Sequence, residues 1–270
     1  MLKKIWVFIL LSAILLGVYV FIEPYRIEDK IYYMSNQQIP GSFDGFRVIF
    51  ITDIHHGPFF SIGRLKNLVR RVNQLKPDMV LLGGDYIHHS AKYIKPCFEE
   101  LAKLSAPLGV YGVLGNHDHR KDGALTRLCM EAAGITSIDN AGVWIERGEG
   151  RIRVGGVGDL QTDWPDIDPA LDGVTHDDYV IIVSHNPDFF QFVDSARLSL
   201  VDLALSGHTH GWQVNFFPRF THKLVSNHSY NYRSGEYWIG TTKLIVSNGI
   251  GAVFLPVRFR ARPQLVVVNL

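Results

Sequence analysis

The stretch that decides the fold is VIFITDIH at residues 48–55, where an apolar run leads directly into a polar motif. All four residues from Val48 to Ile51 are β-branched or aromatic, which predicts a short strand that is buried on both faces. Asp53 and His55 follow two positions apart, so both side chains can point to the same side of an extended chain. The pattern predicts a buried strand with a carboxylate and an imidazole at its carboxyl end.

Four further apolar runs end in polar motifs of the same kind. These motifs are Gly84-Asp85, Gly115-Asn116-His117-Asp118, Ser184-His185 and Gly207-His208-Thr209-His210. Ligands of open α/β sheets bind beyond the carboxyl ends of the strands. If the five strands share one sheet, we therefore expect the five motifs to meet at one edge of it.

The segments between the first three runs have the periodicity of helices. Apolar residues recur at spacings of three and four from Ile62 to Leu75, after Ser61 as the N-cap. Further helices are expected over residues 94–104 and after Asp122, which can serve as an N-cap. This alternation predicts an α/β fold with a largely parallel sheet up to about residue 135.

The second half of the chain is richer in predicted strands. A hairpin is expected around residues 147–150, where Arg-Gly-Glu-Gly separates two short apolar runs. Buried strands are expected over residues 179–183, 203–205 and 265–268. We expect one domain over residues 45–270, preceded by a linker with an edge element at residues 24–44.

Composition excludes several classes of protein. The chain has 270 residues, of which 47% are hydrophobic, and its net charge is +1. A disordered chain would be poorer in apolar residues and more strongly charged. The basic excess of a dedicated nucleic-acid binder is missing, so no nucleic-acid partner is expected. Cys97 and Cys129, the two cysteines, do not form a C-x-x-C pair, which argues against a thiolate metal site.

The N-terminus is predicted to be a membrane anchor covering residues 1–23. The stretch from Ile5 to Ile22 is uncharged, and as a helix it would reach about 27 Å, the thickness of a bilayer core. Lys3 and Lys4 precede it, so the positive-inside rule places the following domain on the extracytoplasmic side of the cytoplasmic membrane. The alternatives are a cleaved signal peptide and a helix buried in the domain.

The residue types of the five motifs are those of a metal centre. Carboxylate, amide and imidazole ligands without sulfur suit Zn²⁺, Mn²⁺ or iron. The candidate metal ligands are Asp53, His55, Asp85, Asn116, His185, His208 and His210. Seven ligands are too many for one tetrahedral ion, but they suffice for two divalent ions that share a bridging ligand.

Together the motifs resemble the calcineurin-like metallophosphoesterase superfamily, whose pattern is D-x-H, G-D, G-N-H-[DE], H and G-H-x-H in this order. The resemblance covers residues 45–270. Within the superfamily the chain resembles the membrane-anchored bacterial phosphodiesterases, through Ser247-Asn248-Gly249-Ile250-Gly251, Pro256-Val257-Arg258-Phe259 and Arg262-Pro263. The resemblance implies a four-layer α/β/β/α sandwich, here preceded by one transmembrane helix.

The resemblance also assigns roles to the residues. One ion would be held by Asp53, His55, Asp85 and His210, and the other by Asp85, Asn116, His185 and His208. A hydroxide that bridges the two ions would attack phosphorus in line. His117 would lie near the leaving-group oxygen, as a general acid or as a charge stabiliser. Relatives with G-D-x-x-D orient this histidine with the final aspartate, but here His88 stands at that position.

The substrate is less well specified by the sequence. Residues 211–240 combine eight aromatic residues with Arg219, Lys223 and Arg233, which suits a membrane interface and suggests a lipid-linked phosphodiester. Alternatively, the aromatic rings cover the core of the sandwich. Arg258, Arg260 and Arg262 alternate, and on a strand they would form one face that binds anions or is simply solvated.

We therefore expect a metal-dependent phosphodiesterase or pyrophosphatase. An enzymatic alternative is a UDP-2,3-diacylglucosamine pyrophosphatase of lipid A synthesis, whose substrate lies on the cytoplasmic side. An alternative of another class is a non-catalytic scaffold on the same fold. Such scaffolds typically lose metal ligands, and all seven are present here.

Overall fold

A computed structural model describes residues 1–215 and 231–270, and within these residues it contains two six-stranded sheets. The helices are α1 Leu2–Ile22, α2 Ile62–Gln74, α3 Ile94–Leu101, α4 Asn116–Ala132 and α5 Ser195–Leu198. The strands are β1 Glu28–Tyr33, β2 Arg47–Ile51, β3 Met79–Leu82, β4 Val110–Gly112, β5 Thr136–Ser137, β6 Ala141–Arg147, β7 Gly150–Gly156, β8 Val180–Ser184, β9 Leu203–Ser206, β10 Gly235–Ile239, β11 Thr242–Val246 and β12 Gln264–Asn269.

The first sheet has the strand order β1-β12-β2-β3-β4-β5. Its strands β2 to β5 are parallel, and α2, α3 and α4 connect them in turn, which confirms the predicted alternation of strands and helices. The N-cap of α2 is Ser61, whose hydroxyl accepts from the N–H of Arg64. Helix α4 begins earlier than expected, at Asn116, and it contains a kink at Asp122, whose side chain caps the second part.

The second sheet has the strand order β10-β11-β9-β8-β7-β6. The predicted hairpin is present as the antiparallel pair β6 and β7, and β7, β8, β9 and β11 run parallel. The antiparallel pair β10 and β11 was not predicted. Charged residues interrupt the apolar runs of these two strands, so the local sequence gives little indication of a strand.

Three separate apolar cores show that the molecule has four layers. Along β2, Ile49 and Ile51 face the helices α2 and α3, whereas Val48 and Phe50 face the second sheet. A third core lies on the outer side of the second sheet, beneath short helical turns. The predicted four-layer α/β/β/α order is therefore confirmed, although the fourth layer consists of short turns rather than long helices.

The N-terminal helix α1 lies outside these cores. Its apolar stretch is long enough to span a membrane, and its 18-residue apolar window contains no buried residue, which is the opposite of a core helix. Among the described residues, its last turns contact the domain: the carbonyl of Val20 accepts from the N–H of Arg258, at 2.9 Å, and the ring of Tyr19 meets that of Phe259 edge-on.

Two expectations are corrected by the structure. The five polar motifs do not follow the strands of one sheet, because three of them follow β2, β3 and β4, while two follow β8 and β9 of the other sheet. In addition, Arg258 is neither on a strand nor at a solvated edge, since its side chain is completely buried.

The aromatic stretch predicted over residues 211–240 lies partly outside the described residues. The residues outside are Phe216, Phe217, Phe220 and Tyr230, with Arg219 and Lys223. Of the described ones, Tyr232 and Tyr237 pack against the third core.

Candidate metal centre

The two stacked sheets bring all five polar motifs to the same end of the sandwich. All seven predicted ligands are buried there, although each lies in a loop between secondary-structure elements or at the start of one. Polar groups of this kind are rarely buried unless they are paired or bind a ligand.

One group of donor atoms is centred on His55. Its Nε2 lies 3.1 Å from Nε2 of His210 and 3.4 Å from Oδ2 of Asp85. Nε2 of His210 lies 3.3 Å from Oδ1 of Asp53. We call these four residues cluster A.

A second group of donor atoms is centred on His185. Its Nε2 lies 3.4 Å from Oδ2 of Asp85, 3.2 Å from Oδ1 of Asn116 and 3.2 Å from Nδ1 of His208. We call these four residues cluster B. The oxygen Oδ2 of Asp85 belongs to both clusters, and it lies at the same distance from the two histidines.

The spacing of these atoms fits metal coordination. Ligand atoms that lie 2.0–2.1 Å from a tetrahedral ion are about 3.3 Å apart, and the separations in both clusters fall close to this value. Two sets of side chains, Asp53 with His55 and His210 and Asp53 with Asp85 and His185, have ligand atoms within 4.8 Å of one another. The side chains are therefore able to hold metal at this end of the sandwich.

The backbone of the site is strained. Five of the seven predicted ligands have a positive φ angle, and these are Asp53, His55, Asp85, His208 and His210. Residues other than glycine rarely adopt this conformation, which costs about 1–3 kcal/mol for each residue and is concentrated at functional sites. The strain turns the side chains at the strand ends inward, toward the shared donor atoms.

Hydrogen bonds fix the orientation of the ligands. The carboxylate of Asp53 accepts from the hydroxyl of Thr52 and from the N–H of His208, so it joins the first motif to the last. Nδ1 of His185 lies 2.8 Å from the carbonyl of Gly83, and donation to that carbonyl leaves the lone pair of Nε2 free for cluster B. Such contacts to metal-binding histidines select the tautomer and hold the ring in place.

Asp118 supports the loops of the site. One carboxylate oxygen accepts from the N–H groups of Asp85 and Gly115, and the other accepts from the N–H of Tyr86. This buried carboxylate therefore ties the loop after β3 to the loop after β4. Because Gly115 has no side chain, the loops can approach closely, and a methyl group there would overlap the carboxylate of Asp85.

The electrostatics of the site favour a cation. Burial raises the pKa of Asp53 to about 6, against the opposing effect of His185. Burial acts in the same direction on Asp85, but His185 and His117 hold the pKa of this carboxyl well below its usual range. Burial opposes charge on His185 as well, yet Asp85 raises the pKa of the ring well above its usual value. Without a metal, the carboxylate of Asp85 therefore favours the charged form of the His185 ring, which lies next to the oxygen that both clusters share.

Burial favours the neutral form of the remaining histidines of the clusters. Burial lowers the pKa values of His55, His208 and His210, that of His208 to about 3. Neutral imidazole is the form that binds metal ions, so no proton has to leave these three rings.

His117 packs beside His55 of cluster A and beside His88, and these two rings also contact each other, with centroids 5.3 Å apart. The ring of His117 meets that of His55 edge-on, with centroids 4.8 Å apart, and it stacks beside the ring of His88 at 5.8 Å. The side chain of His88 is only 2% exposed, and neither of its ring nitrogens has a hydrogen-bond partner among the described residues. His55, His88 and His117 form a third group with ligand atoms within 4.8 Å. His88 thus places unpaired nitrogen atoms beside the rings of His55 and His117.

Sequence reasoning missed two residues that support the site. The side-chain amide of Gln161 lies 3.1 Å from Nε2 of His208, in a loop that the buried carboxylate of Asp159 holds through Thr162. The guanidinium of Arg258 lies 3.4 Å from Nδ1 of His210. The Gly-Asp pair at residues 158–159 follows β7 and could have indicated the first of these. The role of Arg258 depends on contacts that no local pattern carries.

The guanidinium of Arg258 is held by backbone carbonyls. It donates to the carbonyls of Asn248, Gly251 and Ala261. Burial lowers its pKa to about 9, although the nearby carboxyl of Asp53 favours the charged form. This side chain therefore fills the space behind His210 and joins it to the chain segment that precedes β12.

Comparison with known proteins agrees with this geometry. The sequence profile of the calcineurin-like phosphoesterases matches residues 46–212. The metallophosphoesterase YkuE of Bacillus subtilis is 32% identical over 263 residues, which are 93% of this chain and 87% of that protein. The phosphodiesterase YaeI of Escherichia coli is 25% identical over 229 residues, 83% of this chain and 82% of that protein.

A membrane protein is also among the relatives. The transmembrane protein with metallophosphoesterase domain of Danio rerio is 29% identical over 242 residues, 85% of this chain and 54% of that protein. This chain thus spans about half the length of that relative. From the match over residues 46–212 and the likeness to YkuE, the chain belongs to the calcineurin-like phosphoesterases and is a hydrolase of phosphoric esters.

Proposed function

We propose that the chain is a phosphodiesterase or pyrophosphatase that works with two divalent metal ions. The observation that carries this proposal is the position of Oδ2 of Asp85, which lies 3.4 Å from a histidine nitrogen of each cluster. A carboxylate oxygen shared by two groups of metal-binding atoms is the arrangement expected of a bridging ligand.

The residues of the two clusters would each hold one ion. Cluster A offers two imidazoles and two carboxylates, and cluster B offers two imidazoles, an amide and the shared carboxylate. This donor set suits Mn²⁺, Zn²⁺ or iron. Ions bound there would supply Lewis-acid stabilisation of phosphoryl oxygens and would lower the pKa of bound water.

His117 is proposed to act at the leaving group. It is half-buried, next to cluster A, so its ring can reach both the site and solvent. There it would give a proton from a ring nitrogen to the departing oxygen, or stabilise negative charge on it. His88 stacks beside it and would restrict the positions of its ring.

The substrate is proposed to be a lipid-linked phosphodiester at the outer face of the cytoplasmic membrane. Lys3 and Lys4 before α1 favour a cytoplasmic tail and an extracytoplasmic domain. The last turns of α1 contact the segment that carries Arg258, and Arg258 contacts His210 of cluster A. The end of the membrane helix is therefore linked to the metal-binding residues by a short chain of contacts.

The proposal is tested with the full-length chain in detergent micelles. We expect Mn²⁺-dependent hydrolysis of bis-p-nitrophenyl phosphate, and we expect Asp85→Ala and His185→Ala to abolish it. Asp177→Ala and His176→Ala, which change the same residue types at exposed positions, serve as matched controls and should keep full activity. Activity retained in both Asp85→Ala and His185→Ala would refute the two-ion mechanism. A topology reporter fused to the C-terminus tests the membrane side separately.

A further inference from the structure

The segment at residues 252–259, called the 252–259 loop below, lies between β11 and β12 and packs on α1. Within this loop the N–H of Arg258 donates to the carbonyl of Val20, and the ring of Phe259 contacts that of Tyr19. Leu16, Tyr19 and Val20 are partly shielded from solvent, unlike most of α1. The loop therefore contacts the helix within its apolar stretch, before the stretch ends at Ile22.

This contact fixes the depth of the loop relative to a bilayer. Val20 lies two residues before Ile22, which corresponds to about 3 Å along the helix axis. If α1 crosses the membrane, any segment that touches Val20 from outside the helix must lie at the boundary between hydrocarbon and headgroups.

The loop presents apolar side chains at this depth. Phe254 is 67% exposed and Leu255 is 61% exposed. Leu255 is three residues from Arg258, so the chain keeps it within about 10 Å of the contact with Val20. Phe254 also has a positive φ angle of 58°, which is unusual for a bulky residue, so its exposed position is maintained against a backbone cost.

Hydrogen bonds join the loop to the metal-binding residues. The side chain of Gln213 donates to the carbonyls of Val253 and Leu255 and accepts from the N–H of Val253. Gln213 is three residues after His210 of cluster A. Hydrogen bonds of Gln213 thus tie the loop to the segment that follows cluster A.

Charge around the loop matches a lipid surface. Arg260 follows the loop and Arg26 follows α1, and both side chains are exposed. Tyr25, which is 65% exposed, lies between the end of α1 and Arg26. Aromatic and cationic side chains at the end of a membrane helix contact the headgroup layer.

We propose that the 252–259 loop is a second membrane contact of the protein, in which Phe254 and Leu255 insert into the lipid leaflet where α1 ends. The occupant of this apolar surface is the bilayer itself. Two contact points, the helix and the loop, would fix the orientation of the domain and hold clusters A and B beside the headgroups. The part of this inference that concerns the substrate rests on the proposed phosphodiesterase function.

Insertion is measured with an environment-sensitive label that does not depend on activity. Phe254→Cys, made in a Cys129→Ala background, is labelled with a nitrobenzoxadiazole dye while the buried Cys97 stays unreactive. The labelled full-length chain is reconstituted into vesicles of phosphatidylethanolamine and phosphatidylglycerol. The matched control is Leu128→Cys in the same background, because Leu128 is an apolar residue that is 62% exposed on α4.

We expect a blue-shifted emission and protection from aqueous iodide at position 254, and neither effect at position 128. Equal emission and equal quenching at the two positions would overturn the proposal.

A second experiment measures the consequence for lipid substrates. Phe254→Glu combined with Leu255→Glu should lower hydrolysis of a phosphodiester lipid in vesicles roughly tenfold or more, because two apolar side chains leave the lipid. Hydrolysis of bis-p-nitrophenyl phosphate should stay unchanged, and Leu128→Glu should change neither activity. An equal loss of both activities would show that the loop only supports the site, and would overturn the proposal. A shielded label at position 254 in a chain that hydrolyses neither substrate would refute the proposed phosphodiesterase function and leave the membrane contact standing.

Discussion

His185 and Asp85 form a buried ion pair, with Nε2 of the ring 3.4 Å from Oδ2 of the carboxylate. Asp85 raises the pKa of the His185 ring despite burial, and the cationic ring in turn lowers the pKa of Asp85. In the charged ring both nitrogens carry a proton: Nδ1 donates to the carbonyl of Gly83, and the second proton lies on Nε2, the atom that faces cluster B. A metal ion and this proton therefore compete for the same lone pair.

Metal binding is accordingly expected to release protons. Falling pH favours protonated His185, so metal affinity should weaken as the pH falls. Asp53, whose pKa is about 6, also takes up a proton at low pH. Metal affinity should therefore fall most steeply below about pH 6. Calorimetric titration of the metal-free chain with Mn²⁺, in two buffers of different ionisation enthalpy, measures the number of protons released. A binding enthalpy that is the same in both buffers would contradict the proposed proton on His185.

The number of bound ions should depend on which ligand is removed. Asp85→Ala removes the atom that both clusters share and should reduce bound metal from two ions per chain to less than one. His210→Ala leaves cluster B intact, so about one ion should remain. Elemental analysis of the dialysed variants, with Asp177→Ala as the control, measures this difference. Equal metal content in Asp85→Ala and His210→Ala would argue against a bridging role for Asp85.

The φ angle of His208 is 67°, so we expect a glycine variant at this position to be more stable than an alanine variant. His208→Gly and His208→Ala both remove a ligand, but only glycine adopts this angle without strain. The metal-free glycine variant should therefore be more stable than the alanine variant by about 1 kcal/mol. Urea unfolding of the two metal-free variants provides the comparison, and a more stable alanine variant would show that the loop relaxes to a negative φ.

Replacing His88 with aspartate tests the role of His117. A carboxylate at this position would stabilise the protonated ring of His117, so the fall in activity at high pH should move upward by about one unit. His88→Asn is the control, because it adds no charge. If the pH–rate profiles of the two variants have the same alkaline limb, His117 is not the general acid of the reaction.

Arg258 donates hydrogen bonds in several directions at once, so lysine should not replace it. Arg258→Lys would leave buried carbonyl groups of the segment before β12 unpaired and should destabilise the fold by about 2 kcal/mol or more. Arg260→Lys changes an exposed neighbour and should have little effect. Thermal unfolding of both variants in detergent, followed by circular dichroism, tests this difference.

The parts of the fold that could be predicted are those that depend on local sequence. Buried strands such as Val180–Ser184 are short apolar runs with polar motifs at their ends, and Ser61 caps α2 through a contact three residues away. The candidate ligands were found for the same reason, since each lies directly after or close to such a run.

The remaining features depend on contacts between distant residues. Nothing local indicates that β1 pairs with β12, or that the motifs after β4 and β8 belong to different sheets and still meet at Asn116 and His185. Arg258 looked like a surface residue in an alternating pattern, and its burial depends on carbonyl groups from three other positions in the chain.

The carboxylate at the end of α1 has a consequence for any form of the protein that is released from the membrane. Glu23 is buried, and it accepts a hydrogen bond from the N–H of Ala261. Cleavage on the C-terminal side of this residue would preserve every candidate ligand, but it would remove the Glu23 carboxylate and leave the N–H of Ala261, in the chain segment behind His210, without this partner. Shedding by a protease is therefore expected to leave a less stable domain, so the anchor acts as a structural part of the enzyme and not only as its tether.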